Sequence, residues 1–361
     1  MTALIAGGVD CDLHPAVPHL TSLLPYLNDF WRDQVMTRGM TDLVSQSYPL
    51  ESPISSRPDW RPARGKPGSD IDALRAHVLD RFQLGTAVCN PLYGVQMVFS
   101  EDMADAFCRA LNDWLAREWL DREPRLRGSI VVSLQSVEKA VAEIERCAQD
   151  PRFVQVLLLV MGDMPLGKRA YWPIYAAAER LGLAIGIHAG SAYHNPPSSV
   201  GWGSYHIEDH VAQAQAFQTQ LTSLIVEGVF ARHPHLKMVL LESGFTWLPP
   251  FLWRLHKFWR GLRMETPWVD RPPLEIVRSN IRFSLQPVDA PPDPDTLNRL
   301  FDHMQSDELL LFSTDYPHWQ FDGDAVLPEG LSDALVRKIM IDNPHATYPR
   351  LRQTALKETM A

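Results

Sequence analysis

Asp12 and His14 stand two apart in the run Asp10-Cys11-Asp12-Leu13-His14, and ligand-type residues recur far downstream as His188 in LAIGIHAG and Asp315 in LLLFSTDYPHW. Along an extended strand, side chains two apart point to the same side, so Asp12 and His14 can offer a carboxylate oxygen and an imidazole nitrogen to one cation. Added to His188 and Asp315, they make a mixed nitrogen and oxygen site suited to zinc, manganese or iron, with positions left for water or substrate. One divalent metal, zinc first, is therefore expected at Asp12, His14, His188 and Asp315. A His or Asp taken alone at a strand end is ordinarily a hydrogen-bonded structural residue, so the weight lies in the joint placement.

Other polar residues have weaker claims. Tyr205-His206-Ile207-Glu208-Asp209-His210 opens a helical stretch, and the i, i+4 spacing puts His206 and His210 on one face, where they can hold a metal or simply form a polar rim. His318 and Trp319 follow Asp315 closely and read as pocket residues rather than ligands. His233 and His235, in an RHPHL turn, are expected to be exposed. Asp10 is expected to point outward and orient the loop after the first strand. Ser191, Ser313 and Thr314 are expected to be hydrogen-bonding neighbours, because no Gly-x-Ser-x-Gly elbow accompanies them.

The elements that must position these residues alternate. Short apolar runs predict strands near 4–11, 85–89, 128–133, 153–160, 183–188, 237–242, 281–285 and 309–314. Helical periodicity fills 70–82, 101–120, 136–148, 170–181, 206–231, 245–262, 294–304 and 330–342. Eight strands in alternation with helices predict an α/β (β/α)8 TIM barrel, whose functional residues lie at the carboxyl ends of its strands. No GxGxxG or GxxxxGK[ST] follows the first strand, which argues against a nucleotide-binding open sheet. The segment from about 20 to 68, rich in Pro, Ser, Arg and Trp, reads as an insertion after strand 1 that passes over the barrel mouth, or as a flexible linker.

A chain of 361 residues, 45% hydrophobic and 21% charged, fits a single barrel domain spanning 1–361. A net charge of -9 without basic runs excludes an electrostatic footprint for nucleic acid or anionic lipid and favours a small-molecule partner. Apolar runs fall far short of a membrane span and the start lacks a basic, apolar leader, so a cytoplasmic enzyme is expected. Four scattered cysteines, Cys11, Cys89, Cys108 and Cys147, indicate neither a disulfide framework nor a zinc knuckle.

DCDLH, GIHAG, LKMVLLESGFTWLPPFLWRLHKFW and FSTDYPHW, in that order over nearly the whole chain, resemble the amidohydrolase superfamily and its amidohydrolase-2 group. That group includes aminocarboxymuconate-semialdehyde decarboxylase and the resorcylate-type decarboxylases. The resemblance matches the family's first-strand His-x-His pair to Asp12 and His14, its strand-five His to His188 and its strand-eight Asp to Asp315, which binds or flanks the metal and handles protons. Where many relatives carry a His after strand six, this chain has Glu242, open to three roles: general base, second-metal ligand with His206 and His210, or partner of a substrate cation. Arg254 falls where relatives bind a substrate carboxylate, with Trp247 nearby. The resemblance thus implies catalysis by Asp315, Glu242 and His188, with substrate held by Arg254, Trp247, His318 and Trp319.

The function expected is a metal-dependent hydrolase or non-oxidative decarboxylase, a lyase, acting on a small aromatic or unsaturated carboxylated substrate. Two rivals stand beside it: an iron-dependent, dinuclear oxygenase on the same barrel, and a non-catalytic binding barrel. Relatives imply a homodimer, and the eleven Trp residues suit either a subunit interface or burial within one chain.

Overall fold

Eight strands, β1 (Val9–Leu13), β2 (Thr86–Cys89), β3 (Leu126–Val131), β4 (Phe153–Leu159), β5 (Ala184–His188), β6 (Met238–Leu241), β7 (Ile281–Ser284) and β8 (Leu310–Leu311), are hydrogen-bonded in chain order. Every neighbouring pair is parallel. The sheet closes where the chain after β8 returns to β1. Cys11 N–H donates to Phe312 O at 2.9 Å, Asp315 N–H to Asp12 O at 3.0 Å and His14 N–H to Tyr316 O at 2.8 Å. The computed structural model describes residues 3–43, 56–190, 195–318 and 324–351.

The helices are α1 (Asp29–Arg38), α2 (Ile71–Leu74), α3 (Glu101–Leu115), α4 (Val137–Cys147), α5 (Trp172–Leu181), α6 (His206–Val226), α7 (Val229–Arg232), α8 (Leu248–Leu262), α9 (Pro273–Asn280), α10 (Pro294–Met304), α11 (Asp333–Arg337) and α12 (Asn343–Thr347). They cover the outside of the barrel, which explains why β4, FVQVLLL, is buried at every position. α3 shows how local chemistry sets an element. Ser100 accepts the Met103 N–H at its start, and Met103, Phe107, Leu111 and Leu115 recur every fourth residue on the buried face. Each buried Leu or Phe of this kind stabilises the fold by about 1.5–3 kcal/mol relative to exposure.

Several expectations are corrected. The first strand lies at Val9–Leu13 rather than 4–11, so Asp12 is inside the ladder, where the register shifts between Asp10 and Leu13. Asp10 does not point outward: it is buried and accepts from Thr314 Oγ1 at 2.6 Å, joining β1 to the strand-eight end. Before β7 stands α9, absent from the periodicity reading because two prolines and a short length hide it. The segment from 20 to 68 begins as core: Leu20 and Leu23 are buried in a 3₁₀ turn, and Tyr26 Oη donates to Glu118 at 2.7 Å. Residues 44–55 of that segment lie outside the described residues. Where it emerges, Ser56 pairs with His318 and Arg57 N–H donates to Pro317 O at 3.0 Å. His233 is buried against Glu179 at 3.2 Å rather than exposed, while His235 is exposed as expected. All four cysteines are buried free thiols. Among the described residues no helix is long and apolar enough to cross a membrane.

Candidate metal centre

At the carboxyl ends of four strands, polar side chains replace the apolar filling of the barrel. β1 supplies Asp12 and, one residue past its end, His14; β5 ends in His188; Glu242 directly follows β6; Asp315 and His318 lie on the chain that leaves β8. Glu242 has φ 54° and Asp315 φ 55°, a left-handed backbone uncommon for residues with side chains. Such conformations cost about 1–3 kcal/mol and persist where the surroundings over-determine them, as they do at functional sites.

These side chains meet. His14 Nε2 lies 3.0 Å from Asp315 Oδ1, 3.3 Å from Glu242 Oε1 and 3.3 Å from Asp12 Oδ1. His188 Nε2 lies 3.1 Å from Glu242 Oε1 and 3.9 Å from Asp12 Oδ1. His318 Nδ1 lies 2.7 Å from Asp315 Oδ1 and 3.2 Å from Glu242 Oε1, and its ring stacks on His14 with centroids 4.5 Å apart. Two overlapping sets can hold a cation: Asp12, His14, His188 and Glu242, or His14, Glu242, Asp315 and His318.

The ring tautomers follow from the acceptors around them. His14 Nδ1 sits 2.8 Å from the backbone carbonyl of Asn90, and His188 Nδ1 sits 2.6 Å from that of Ala189. A carbonyl only accepts, so both Nδ1 atoms carry the proton and both Nε2 atoms present lone pairs. Those two Nε2 atoms, with Asp12 Oδ2, are buried and lack hydrogen-bond partners. Buried orphaned polar atoms are costly and ask for a partner, and their three residues stand together with Glu242 in one ligand group, which fits a metal ion. Metal bonds of about 2.1 Å span ligand edges of about 3.0–3.4 Å, the range in which His14 Nε2 stands from Asp12 Oδ1 and Glu242 Oε1, and His188 Nε2 from Glu242 Oε1. The set suits one cation rather than two, because the two groups share His14, whose free Nε2 has one lone pair.

The electrostatics agree. Burial opposes charge on His14, yet Asp12, Asp315 and Glu242 outweigh it and hold the imidazole well above its usual range. Burial likewise opposes charge on His188, and Glu242 and Asp12 reverse it. Burial pushes Asp12 up to about 6, with His14 and His188 pulling the other way. Burial would raise Glu242 too, but His188, His14 and His318 hold it well below the carboxylate range. Excess acid thus draws positive charge onto the imidazoles, charge that a divalent cation supplies instead.

The structure separates the remaining candidates. Glu242 belongs to the cluster with His14 and His188, not to a second site with His206 and His210. Those two histidines sit at the start of α6, His206 half-buried and His210 exposed, with Nε2 atoms 2.8 Å apart, and among the described residues they join no group of three ligands. Arg254 is exposed on α8 with its guanidinium over the Phe258 ring, 5.1 Å from the centroid. Trp247 is half-buried at the head of α8, its Nε1 donating to Ser243 O at 2.9 Å and its ring against Phe283. Trp319 and Ser191 lie outside the described residues. Ser313 and Thr314 are buried hydrogen-bonding residues, Ser313 Oγ accepting from Gln286 N–H at 2.9 Å.

Residue reading missed a buried polar set beneath the cluster: Asn90, Ser129, Gln155 and Tyr348. Its one visible signal is Gln155, the single amide in the otherwise apolar strand FVQVLLL.

Residues 9–350 match the family described as amidohydrolase (Amidohydro_2). The chain is 27% identical over 215 residues to gamma-resorcylate decarboxylase of Rhodococcus jostii RHA1, a match covering 56% of this chain and 63% of that relative's length. Its fold superposes on 2,6-dihydroxybenzoate decarboxylase from Rhizobium with a TM-score of 0.68 at 19% identity, covering 96% and 99% of the two chains. It also superposes on dihydroxybenzoic acid decarboxylase from Polaromonas sp. JS666, solved with bound manganese and 2-nitroresorcinol, with a TM-score of 0.66 at 20% identity over 96% and 97%.

Proposed function

Because the chain belongs to the amidohydrolase family, we propose that it is a single-metal carboxy-lyase that removes carbon dioxide non-oxidatively from a small hydroxylated aromatic carboxylate. The observation that carries this reading is the convergence of Asp12, His14, His188 and Glu242 with three buried donor atoms left without partners. The decarboxylase chemistry of the resorcylate relative supports the reaction class. Zinc is the cation expected from the residue types; the carboxylates of Asp12, Glu242 and Asp315 are hard oxygen donors that suit manganese equally, and the Polaromonas neighbour holds manganese.

Bound there, the cation would act as a Lewis acid on substrate oxygens. The chain's own residues do the rest. Asp12, His14, His188 and Glu242 form the cradle, and their burial keeps bulk water from the reacting carbon. Asp315 delivers a proton to the ring carbon that bears the carboxylate; the carbon–carboxylate bond then breaks, carbon dioxide leaves, and the bonding pair restores the aromatic ring. His318, 2.7 Å from Asp315 Oδ1, returns a proton to the spent carboxylate. Along and after α8, Trp253, Phe258, Leu262 and Met264 are exposed, which supports a homodimer as the working assembly.

The direct test loads purified protein with Mn²⁺ or Zn²⁺ and measures carbon dioxide release from a panel of hydroxybenzoates. Turnover of at least one of them, abolished by chelation and restored by metal, is expected. Stoichiometric metal binding without release from any aromatic carboxylate would refute the lyase reading and favour hydrolysis.

A further inference from the structure

Barrel interiors are ordinarily filled by layers of Val, Ile and Leu, yet directly beneath the metal cluster this barrel holds Asn90, Ser129, Gln155 and Tyr348, all fully buried. A buried polar group costs free energy unless hydrogen-bonded, so a set of four in a core that apolar residues could fill calls for a reason.

The hydrogen bonds run in one direction. Tyr348 Oη donates to Gln155 Oε1 at 3.1 Å. Gln155 Nε2 donates to Ser129 Oγ and to Asn90 Oδ1, both at 3.0 Å. Ser129 Oγ then donates to Asn90 Oδ1 at 2.6 Å. With its oxygen claimed by two donors, the Asn90 amide can face only one way, and its Nδ2 donates to Asp12 Oδ1 at 2.8 Å and to Cys11 O at 3.3 Å. The chain of donors therefore ends on one oxygen of Asp12 and leaves the other, Oδ2, free of partners.

Asn90 also reaches the second β1 residue of the cluster, since its backbone carbonyl accepts the Nδ1 proton of His14 at 2.8 Å and so turns the Nε2 lone pair toward the cluster. One residue at the end of β2 thus aims both. Room for the arrangement is provided by Gly186 on β5, where a Cβ would come within 2.5 Å of Gln155 Nε2.

We propose that Asn90, oriented by Ser129 and by the Tyr348-braced amide of Gln155, is the positioning residue that aims Asp12 and His14 at the cation. It contacts the ligands rather than the reacting atoms. The proposal rests on the single-metal reading above.

The test is a titration of metal-free full-length protein with Mn²⁺, following free Mn²⁺ and the line shape of the bound ion by electron paramagnetic resonance, with the folded state checked by circular dichroism. Loss of such outer contacts typically weakens metal binding about 10- to 100-fold. Asn90→Ala is expected to weaken Mn²⁺ binding by that factor and to broaden the bound signal. Asn90→Asp, nearly identical in volume but presenting an acceptor to Asp12, is expected to bind as poorly as Asn90→Ala; parent-like or tighter binding by Asn90→Asp would mean that Asn90 only fills space and would overturn the proposal. Should the Asn90 variants not fold, Gln155→Met removes the orienting donors without touching a ligand and is expected to weaken Mn²⁺ several-fold, with an unchanged dissociation constant overturning the proposal. Failure of the parent protein itself to bind Mn²⁺ or Zn²⁺ would instead refute the metal reading.

Discussion

Asp315→Asn separates the proton-transfer role from the metal cradle. Asp315 Oδ1 faces His14 Nε2 at 3.0 Å and His318 Nδ1 at 2.7 Å, so the change leaves shape and volume intact while removing the group that carries the proton. The backbone favours this variant: at φ 55°, Asn is among the residues that tolerate the left-handed region, whereas other side chains there cost roughly 1–2 kcal/mol. General acid catalysis contributes about 10²- to 10⁴-fold, which corresponds to roughly 3–5 kcal/mol of activation free energy. Asp12, His14, His188 and Glu242 remain as a complete cradle, so metal content should stay near one ion per chain. The assay pairs carbon dioxide release with elemental analysis and thermal melting on the same preparation. A variant turning over within about tenfold of the parent, below the range expected for a lost general acid, would refute the role. Loss of the metal along with activity would show that Asp315 is a ligand instead of a proton carrier.

Two further predictions use other parts of the molecule. Glu242→Gln removes the carboxylate whose Oε1 stands within 3.3 Å of both His14 and His188, so Mn²⁺ binding should weaken by more than about tenfold and saturate at a single ion in the parent, as titration calorimetry can record; two ions per parent chain would revive the dinuclear oxygenase. Lys237 is driven down to about 8 by burial and by Arg282, with Glu308 opposing. Between about pH 8 and 10.5 the unfolded chain holds this proton and the folded one does not, so parent stability rises with pH across that window. Lys237→Gln should therefore stabilise the protein at pH 7 by about 1 kcal/mol, after allowance for partial exposure, and flatten that rise. Urea unfolding at pH 7, 8.5 and 10 would expose an error if both proteins followed parallel curves.

Most of the fold was legible because each element's signal is local. Parallel strands covered on both faces must be apolar throughout, and helices must repeat their apolar face, so eight alternations could be counted in the sequence. β1 starts later than its local pattern suggests, because Leu4 and Ile5 look like strand residues whereas the ladder uses the run that ends at Leu13. α9 is hidden in the sequence because Pro272 and Pro273 at its start read as punctuation. The residue types at the ends of β1, β5 and β8 were equally visible, since a polar side chain ending an apolar strand stands out locally.

Which of those ends touch one another is a different kind of information. Register and barrel closure bring Glu242 to His14 and His188, and leave His206 and His210 outside that ligand group although their spacing is just as suggestive. The face of α8 that meets the barrel is set by Leu248 and Leu252, which leaves Arg254 exposed over the Phe258 ring, a placement that helical spacing alone does not give. Asn90, Ser129, Gln155 and Tyr348 come from four distant segments, and only their meeting in a closed interior makes them a single hydrogen-bonded device. Amino-acid order by itself determined the period of each segment and the chemistry available at its end; closure of the sheet decided the partners, because contact across a barrel depends on stagger between strands that no local period encodes.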